Sequence, residues 1–165
     1  MEKVKAFLKK KNVEISVKRY LVDALGAMAQ GLFASLLIGT ILSTLGKQLG
    51  NEYLTELGGY ASAVAGPAMA VSIGWALQCP PLALFSLVAV GNAANVLGGA
   101  GGPLAVLVIT VIAAECGKLV SKETKIDILV TPGVTIFVGV GLAELIAPGI
   151  GAAASSVGQL IMWAT

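Results

Sequence analysis

Four polar residues lie within long apolar stretches of this 165-residue sequence and are its main candidates for chemistry. Glu115 and Glu144 carry carboxylates, and Asn92 and Asn95 carry amides three positions apart, on one face of a helix. A carboxylate accepts hydrogen bonds from hydroxyl groups or takes up a proton or cation, whereas an amide both donates and accepts. Because polar groups in apolar surroundings must find partners or face water, we consider all four as site residues.

Each candidate also has a structural interpretation. Glu115 precedes Lys118 by three positions, so the two side chains can form an ion pair at the end of a helix. Glu144 has no basic neighbour in the sequence; it faces either a cavity or the outer interface. The amides of Asn92 and Asn95 can bind carbohydrate hydroxyls or satisfy backbone groups of neighbouring helices. Glu115 and Glu144 are also the candidates for proton or ion coupling.

The composition excludes several kinds of site. Histidine is absent, which removes His-based catalysis and His-ligated metals within this sequence. The two cysteines, Cys79 and Cys116, lie in apolar surroundings that are typical of small buried thiols. We therefore predict no catalytic residues, no metal site and no cofactor. A net charge of +2 is too small to indicate nucleic acid as a partner.

The hydropathy of the sequence indicates a membrane protein. Hydrophobic residues make up 56% of the chain and charged residues 12%, and the mean hydropathy is +0.89. The 58 residues from Leu57 to Ala114 contain no Asp, Glu, Lys or Arg. Since a helix needs about 20 apolar residues to cross a bilayer, we predict an all-α, polytopic bundle of about five to six membrane segments.

Charged loops, prolines and glycines divide the apolar sequence into segments. A polar stretch follows the first segment, Pro80-Pro81 ends the second, and a glycine-rich turn at Gly98–Pro103 separates the third from the fourth. The predicted segments are Tyr20–Gly46, Leu57–Cys79, Leu82–Leu97, Pro103–Val120 and Ile128–Ala147, with an apolar tail at Ile150–Thr165 after Pro148-Gly149.

Basic residues predict the orientation. Seven of the first nineteen residues are Lys or Arg, and Lys118, Lys122 and Lys125 flank a later loop, so both regions are expected in the cytoplasm. Two cytoplasmic regions require an even number of crossings between them. Four crossings meet this condition, and so do two crossings with a re-entrant hairpin formed by residues 82–120.

The N-terminal region and the small residues suggest further organisation. Residues 1–19 form a basic arm, either an amphipathic segment on anionic lipid or a solvated chain, and residues 20–165 form the transmembrane domain. Small residues recur at every fourth position in the first two segments, which predicts close helix–helix contacts. These residues are Ala27, Gly31, Ser35 and Gly39 in the first segment, and Ser62, Gly66, Ala70 and Gly74 in the second.

From Lys18 onward the sequence resembles a bacterial family of membrane proteins, the phosphotransferase-system enzyme IIC-like permeases, which includes the perfringolysin O regulator-like proteins. The resemblance rests on four stretches, Lys18–Thr40, Pro80–Phe85, Gly117–Asp127 with Thr131-Pro132, and Leu160–Thr165. Members of that family are about twice as long, which implies that this chain is the N-terminal half of a permease.

The resemblance implies a sugar permease of the bacterial cytoplasmic membrane. Its partners would be a carbohydrate, the lipid bilayer, a phosphocarrier enzyme IIB that carries out the phosphorylation, and further copies of the chain. Sugar-binding enzyme IIC proteins use a Gly-Ile-Thr-Glu motif and a histidine, and Gly141-Leu-Ala-Glu144 matches the glycine and glutamate. Asn92, Asn95 and Glu144 are the predicted substrate-binding residues. The alternatives are a membrane-bound regulator and an ion-coupled carrier or channel.

Overall fold

A computed structural model describes residues 2–164, and these residues form helices without β-strands. Three helical stretches are long and apolar enough to cross a membrane: Lys18–Leu49, Pro81–Val120 and Asp127–Ala164. The predicted all-α membrane fold is therefore confirmed. We label the helices α1 Glu2–Lys10, α2 Lys18–Leu49, α3 Glu52–Ala63, α4 Ala65–Ala76, α5 Pro81–Gly98, α6 Gly102–Val120 and α7 Asp127–Ala164.

Helix α2 and the pair α3–α4 form an antiparallel hairpin. Gly50 ends α2 in the left-handed conformation, φ +63°, which is favourable for glycine. The Asn51 side chain then caps α3 by accepting a hydrogen bond from the Leu54 amide at 3.2 Å. Helix α3 ends at Ala63 because Pro67, four positions later, has no N–H to donate to the Ala63 carbonyl.

Glycines allow the helix backbones to touch. A Cβ atom at Gly39 would lie 2.7 Å from the Gly58 carbonyl oxygen, and one at Gly66 would lie 2.5 Å from the Gly91 carbonyl oxygen. Such contacts are the main source of helix association in lipid, where burial of apolar surface gives no hydrophobic gain. The predicted small-residue contacts of α2 and α4 are confirmed.

Helices α5 and α6 form a second hairpin within the apolar stretch Pro81–Val120. Gly99 reverses the chain with φ +48°, and a Cβ atom at Gly98 would lie 2.9 Å from the Ala105 Cβ. The two helices have 18 and 19 residues, so each spans about 27–29 Å at about 1.5 Å per residue. Both helices agree with the predicted third and fourth segments to within one residue.

Helix α7 corrects the prediction that the fifth segment ends before Pro148. The helix is continuous over 38 residues and contains both Pro132 and Pro148. An apolar environment provides no water for free backbone groups, so losing one hydrogen bond at a proline is less costly than ending the helix. The predicted boundary at Pro148-Gly149 is therefore wrong.

Helix α7 packs on α5 and α6 through a stripe of small side chains. The buried residues of this stripe follow one another at four-residue intervals: Thr131, Thr135, Gly139, Ala143, Ala147 and Gly151. A Cβ atom at Gly139 would meet Val90 of α5 and Ala113 of α6, and one at Gly151 would lie 2.4 Å from the Gly98 carbonyl oxygen. Beyond Gly151 nearly every described residue of α7 is exposed.

Candidate functional site

One end of the bundle holds a cluster of polar groups around the buried ammonium of Lys118. This side chain lies in the last turn of α6, and the residue is only 2% exposed. Its Nζ donates hydrogen bonds to the Asn12 carbonyl at 2.8 Å, the Leu77 carbonyl at 3.0 Å and the Glu115 Oε1 at 3.0 Å. Three acceptors match the three protons of an ammonium group.

Glu115 is the charged partner of Lys118. Its Oε2 lies 2.9 Å from the Lys118 Nζ, and its side chain is 14% exposed. The predicted ion pair between positions 115 and 118 is confirmed. Tyr20, at the start of α2, lies beside the same carboxylate.

The linker between α1 and α2 is bound to the same end of the bundle. Lys11 pairs with Glu123 and donates a hydrogen bond to the Ser121 carbonyl, and the Asn12 amide donates to the Gln78 side chain. The hydrogen bond from Lys11 lowers the pKa of the Glu123 carboxyl below its ordinary value of 4.5.

Arg19 connects the first turn of α2 to the same carbonyl group that binds Lys118. Its Nη2 donates to the Leu77 carbonyl at 2.9 Å, and its Nη1 donates to the Asn12 Oδ1 at 3.3 Å. We name this set the lysine cluster: Lys11, Asn12, Arg19, Leu77, Gln78, Glu115, Lys118, Ser121 and Glu123. The end of the bundle that carries it is the lysine-rich end, and the end at the Gly99–Gly101 turn is the distal end.

The lysine cluster brings the N-terminal linker, the turn before α5 and the loop after α6 to one end of the bundle. The chain therefore leaves this end and returns to it twice before residue 121. This agrees with the even number of crossings that the basic residues predict.

Glu144 has a different environment from Glu115. It lies on α7 between Gly139, which contacts Val90 and Ala113, and Gly151, which contacts Gly98. Its side chain is exposed, and within residues 2–164 it forms no hydrogen bond or ion pair. Pro148 has no N–H, so the backbone carbonyl of Glu144 also lacks its usual helical hydrogen bond.

Asn95 lies at the junction of three helices. A Cβ atom at Gly66 of α4 would lie 2.6 Å from the Asn95 Cβ, and one at Gly102 of α6 would lie 2.6 Å from the Asn95 Oδ1. The residue is half-buried there. Its amide is thus held against the backbone of both neighbours.

Asn92 is exposed on the side of α5 that faces away from α7. Val90 contacts Gly139 of α7, and Asn92 follows it by two positions, which is about 200° around a helix. Within this chain the structure therefore does not bring Asn92 and Glu144 together.

Sequence reasoning missed several polar groups. The carbonyls of Asn12 and Leu77 bind Lys118, but a backbone carbonyl gives no signal in the residue type. The Thr110 hydroxyl is buried in α6 and has no hydrogen-bond partner within the described residues. Threonine is common in apolar helices, so the residue type alone does not mark Thr110 as unusual.

The fold and its isolated polar groups define a class: a multi-helix integral membrane protein whose apolar helices carry a few carboxylate and amide groups. The model of the family "Phosphotransferase system, EIIC" matches residues 22–165, and the chain belongs to that family. It is a membrane permease component of the phosphotransferase type for sugar transport. EIIC proteins reside in the bilayer and act with a sugar and an EIIB partner. Comparisons with curated proteins and with solved structures give no match.

Proposed function

We propose that the chain moves a carbohydrate across the bacterial cytoplasmic membrane with its lysine-rich end in the cytoplasm. Every Lys and Arg except Lys47 belongs to the segments at that end, whereas Lys47 lies near the opposite tip of the α2–α3 hairpin. This distribution follows the positive-inside rule and supports a cytoplasmic N-terminus.

We assign sugar binding to the carboxylate of Glu144. An unpaired charge facing acyl chains is unfavourable, so such a residue normally faces a watery cavity or a binding partner. Glu144 is exposed and without a partner within residues 2–164, and Pro148 leaves the backbone carbonyl of the same residue without its usual helical hydrogen bond. Sugar hydroxyls are donors of the kind that these oxygens accept.

A sugar site at Glu144 needs a facing wall, because no described helix covers this side of α7. The expected remainder of a longer permease or a second copy of the chain would supply it. Asn92 and Asn95 are the proposed amide contacts. Asn92 lies on the side of α5 that faces away from α7, so it contacts the substrate only if the facing protein surface also covers that side of α5. Asn95 already contacts Gly66 and Gly102.

The phosphate chemistry belongs to a partner in this proposal. The chain contains no histidine to carry a phosphoryl group. An enzyme IIB at the lysine-rich end would phosphorylate the sugar as it reaches the cytoplasm, and the chain itself would supply the pathway and the binding groups.

Uptake measurements test the role of Glu144. Cells that express the parent protein, Glu144→Gln or Glu144→Asp at matched membrane levels are offered radiolabelled glucose, mannitol or N-acetylglucosamine, and the initial rates of uptake are compared. Losing a charged hydrogen bond lowers affinity by about tenfold or more, so Glu144→Gln should reduce uptake by about that factor at low sugar concentration. Glu144→Asp should retain part of the activity.

Glu56→Gln is the matched control, because this residue lies outside the long apolar helices. It should leave uptake unchanged. Equal uptake by the parent and Glu144→Gln would remove Glu144 from the site. Unchanged uptake after deletion of the whole protein, together with altered gene expression, would favour the membrane-bound regulator.

Ion coupling is the second candidate function, and the unpaired carboxylate of Glu144 is the observation that favours it. Glu115, the other candidate for this role, is already paired with Lys118. Uptake that stops when the proton gradient is dissipated, but continues when phosphoenolpyruvate is depleted, would support coupling through Glu144. The opposite pattern would support phosphotransferase transport.

A further inference from the structure

Helix α1 is amphipathic and lies outside the core of the bundle. Val4, Phe7 and Leu8 share one face, and none of the residues of α1 is buried. Val4 is 62% exposed and Phe7 is 38% exposed. Lys5 and Lys10 flank this face on its two sides, since they lie about 100° and about 240° around the helix from Val4.

The linker holds α1 at the lysine-rich end of the bundle, where the apolar helices α2 and α6 begin and end. Lys11 and Asn12, directly after α1, are bound to the lysine cluster at the end of the bundle. Arg19, in the first turn of α2, joins the same cluster. A helix attached at this end lies where lipid headgroups meet the acyl chains.

The apolar surface continues from α1 into the linker. Leu8, Val13 and Ile15 line an open groove together with Lys5 and Lys9. Ile15 is 83% exposed. Apolar side chains along one face of α1 and in this groove, with lysines at their edges, are typical of a segment that lies on a membrane surface. They are not typical of an arm that is surrounded by water.

We propose that α1 docks on anionic phospholipid of the leaflet at the lysine-rich end. Val4, Phe7 and Leu8 enter the acyl region, and the lysines bind the phosphate groups. Seven basic residues against two acidic ones in residues 2–19 give the charge complementarity that selects an anionic surface. Lysine stems also reach from the apolar region to the headgroups, which suits their positions beside the apolar face.

This inference rests on the membrane location of the chain and not on the sugar site. A failed uptake test of Glu144 would leave it unchanged. Conversely, free α1 in lipid vesicles would leave the proposed transport function unchanged.

Spin labels on the full-length protein test the docking. Cys79 and Cys116 are replaced by serine, and a label is attached through Val4→Cys on the apolar face or through Ala6→Cys, about 200° away on the same helix. Each protein is reconstituted in vesicles of phosphatidylcholine with phosphatidylglycerol, or of phosphatidylcholine alone. The accessibility of each label to oxygen and to a water-soluble nickel complex is measured by electron paramagnetic resonance.

With phosphatidylglycerol, the label at position 4 should be accessible to oxygen and shielded from nickel, and the label at position 6 should show the reverse. Phosphatidylcholine alone should reduce the shielding at position 4 several-fold. Replacing Lys5, Lys9 and Lys10 with glutamine should abolish the difference between the two lipids. The same replacement of Lys47, Lys122 and Lys125, which are exposed elsewhere, should preserve it.

Two results would overturn the proposal. Equal nickel accessibility at positions 4 and 6 in phosphatidylglycerol vesicles would show a solvated arm. Low accessibility of the label at position 4 to both oxygen and nickel, in both lipids, would show that a protein surface, and not lipid, covers the apolar face.

Discussion

Glu115 and Glu144 are two carboxylates of similar sequence setting with different environments. Both lie in long apolar helices and both follow an alanine. Glu115 is largely buried and pairs with Lys118, whose other two hydrogen bonds join the N-terminal linker to the end of α4. Glu144 is exposed on α7 and has no partner within residues 2–164.

The difference shows what assigns a role to a polar residue in a membrane helix. The charge of Glu115 is compensated by the Lys118 ammonium, which joins the helices to the linker. The carboxylate is therefore not available to a ligand. The charge of Glu144 is not compensated by the described chain, so a ligand, a cation or a facing protein surface can compensate it.

Removing the partner of Glu115 should have the largest effect on stability. We expect Lys118→Met to lower the free energy of unfolding by about 3–5 kcal/mol, because it leaves a largely buried carboxylate without its cation. Unfolding in detergent, followed by circular dichroism, measures the loss. Lys122→Met, at an exposed lysine four positions later, is the control and should have little effect.

The double variant Glu115→Gln with Lys118→Met then sharpens the test. Because it removes both charges, it should be more stable than Lys118→Met alone. If Lys118→Met and Lys122→Met unfold alike, Glu115 is not held by Lys118 and the contrast with Glu144 disappears.

The packing that keeps Glu144 on the exposed side of α7 can be tested at Gly151. A Cβ atom there would lie 2.4 Å from the Gly98 carbonyl oxygen. Because this oxygen belongs to the backbone, relieving the clash requires the two helices to move apart. Gly151→Ala should lower the free energy of unfolding by about 1–3 kcal/mol. Gly149→Ala, two positions earlier with open space around it, should be neutral or stabilising, since alanine favours helix. Equal thermal stability of the two variants would contradict the proposed contact.

The two carboxylates should also differ when each loses its charge. Glu144→Gln should leave the free energy of unfolding within about 0.5 kcal/mol of the parent value, as is usual for exposed positions without partners. Glu115→Gln should destabilise the protein more, because it leaves the Lys118 ammonium buried without a counter-charge. Parallel denaturation of the two variants gives the comparison, and equal losses would contradict it.

The smallest expected effect concerns the pair of the largely buried Lys11 side chain and the exposed Glu123. The pKa of Glu123 is lowered in the folded protein, so its contribution is present above the ordinary value of 4.5 and is lost as the pH falls through the folded-state value. At neutral pH, Glu123→Gln should speed amide hydrogen exchange in residues 11–16. The difference from the parent should narrow as the pH falls below 4.5. A difference that does not depend on pH would assign the effect to packing.

Much of the fold could be predicted because lipid imposes strict rules on a chain. Pro80-Pro81 and the glycines after Leu97 locate the α5–α6 hairpin to within one residue, and the spacing of Gly39 and Gly66 predicts their helix contacts. Pro148 misled the reading, because a proline that ends a helix in water is tolerated where free backbone groups find no water.

Less of the site could be predicted, because it depends on which helices become neighbours. The pair of Glu115 and Lys118 is local in sequence and could be predicted. Asn92 faces away from α7 because Val90, two positions earlier, is the residue that contacts Gly139. The spacing of residues within α5 does not show which face of the helix meets α7, so this position could not be predicted.

The lysine cluster also has a consequence for biosynthesis. The Lys118 ammonium binds the Asn12 carbonyl across 106 positions, and the Lys11 ammonium binds the Ser121 carbonyl across 110 positions. The N-terminal linker therefore leaves the ribosome long before Lys118 and Ser121 do. Its hydrogen bonds to these residues cannot form until α2 to α6 have been synthesised. Such long-range contacts form late in folding. Closure of the cluster thus marks the moment at which the first six helices have been synthesised and correctly placed.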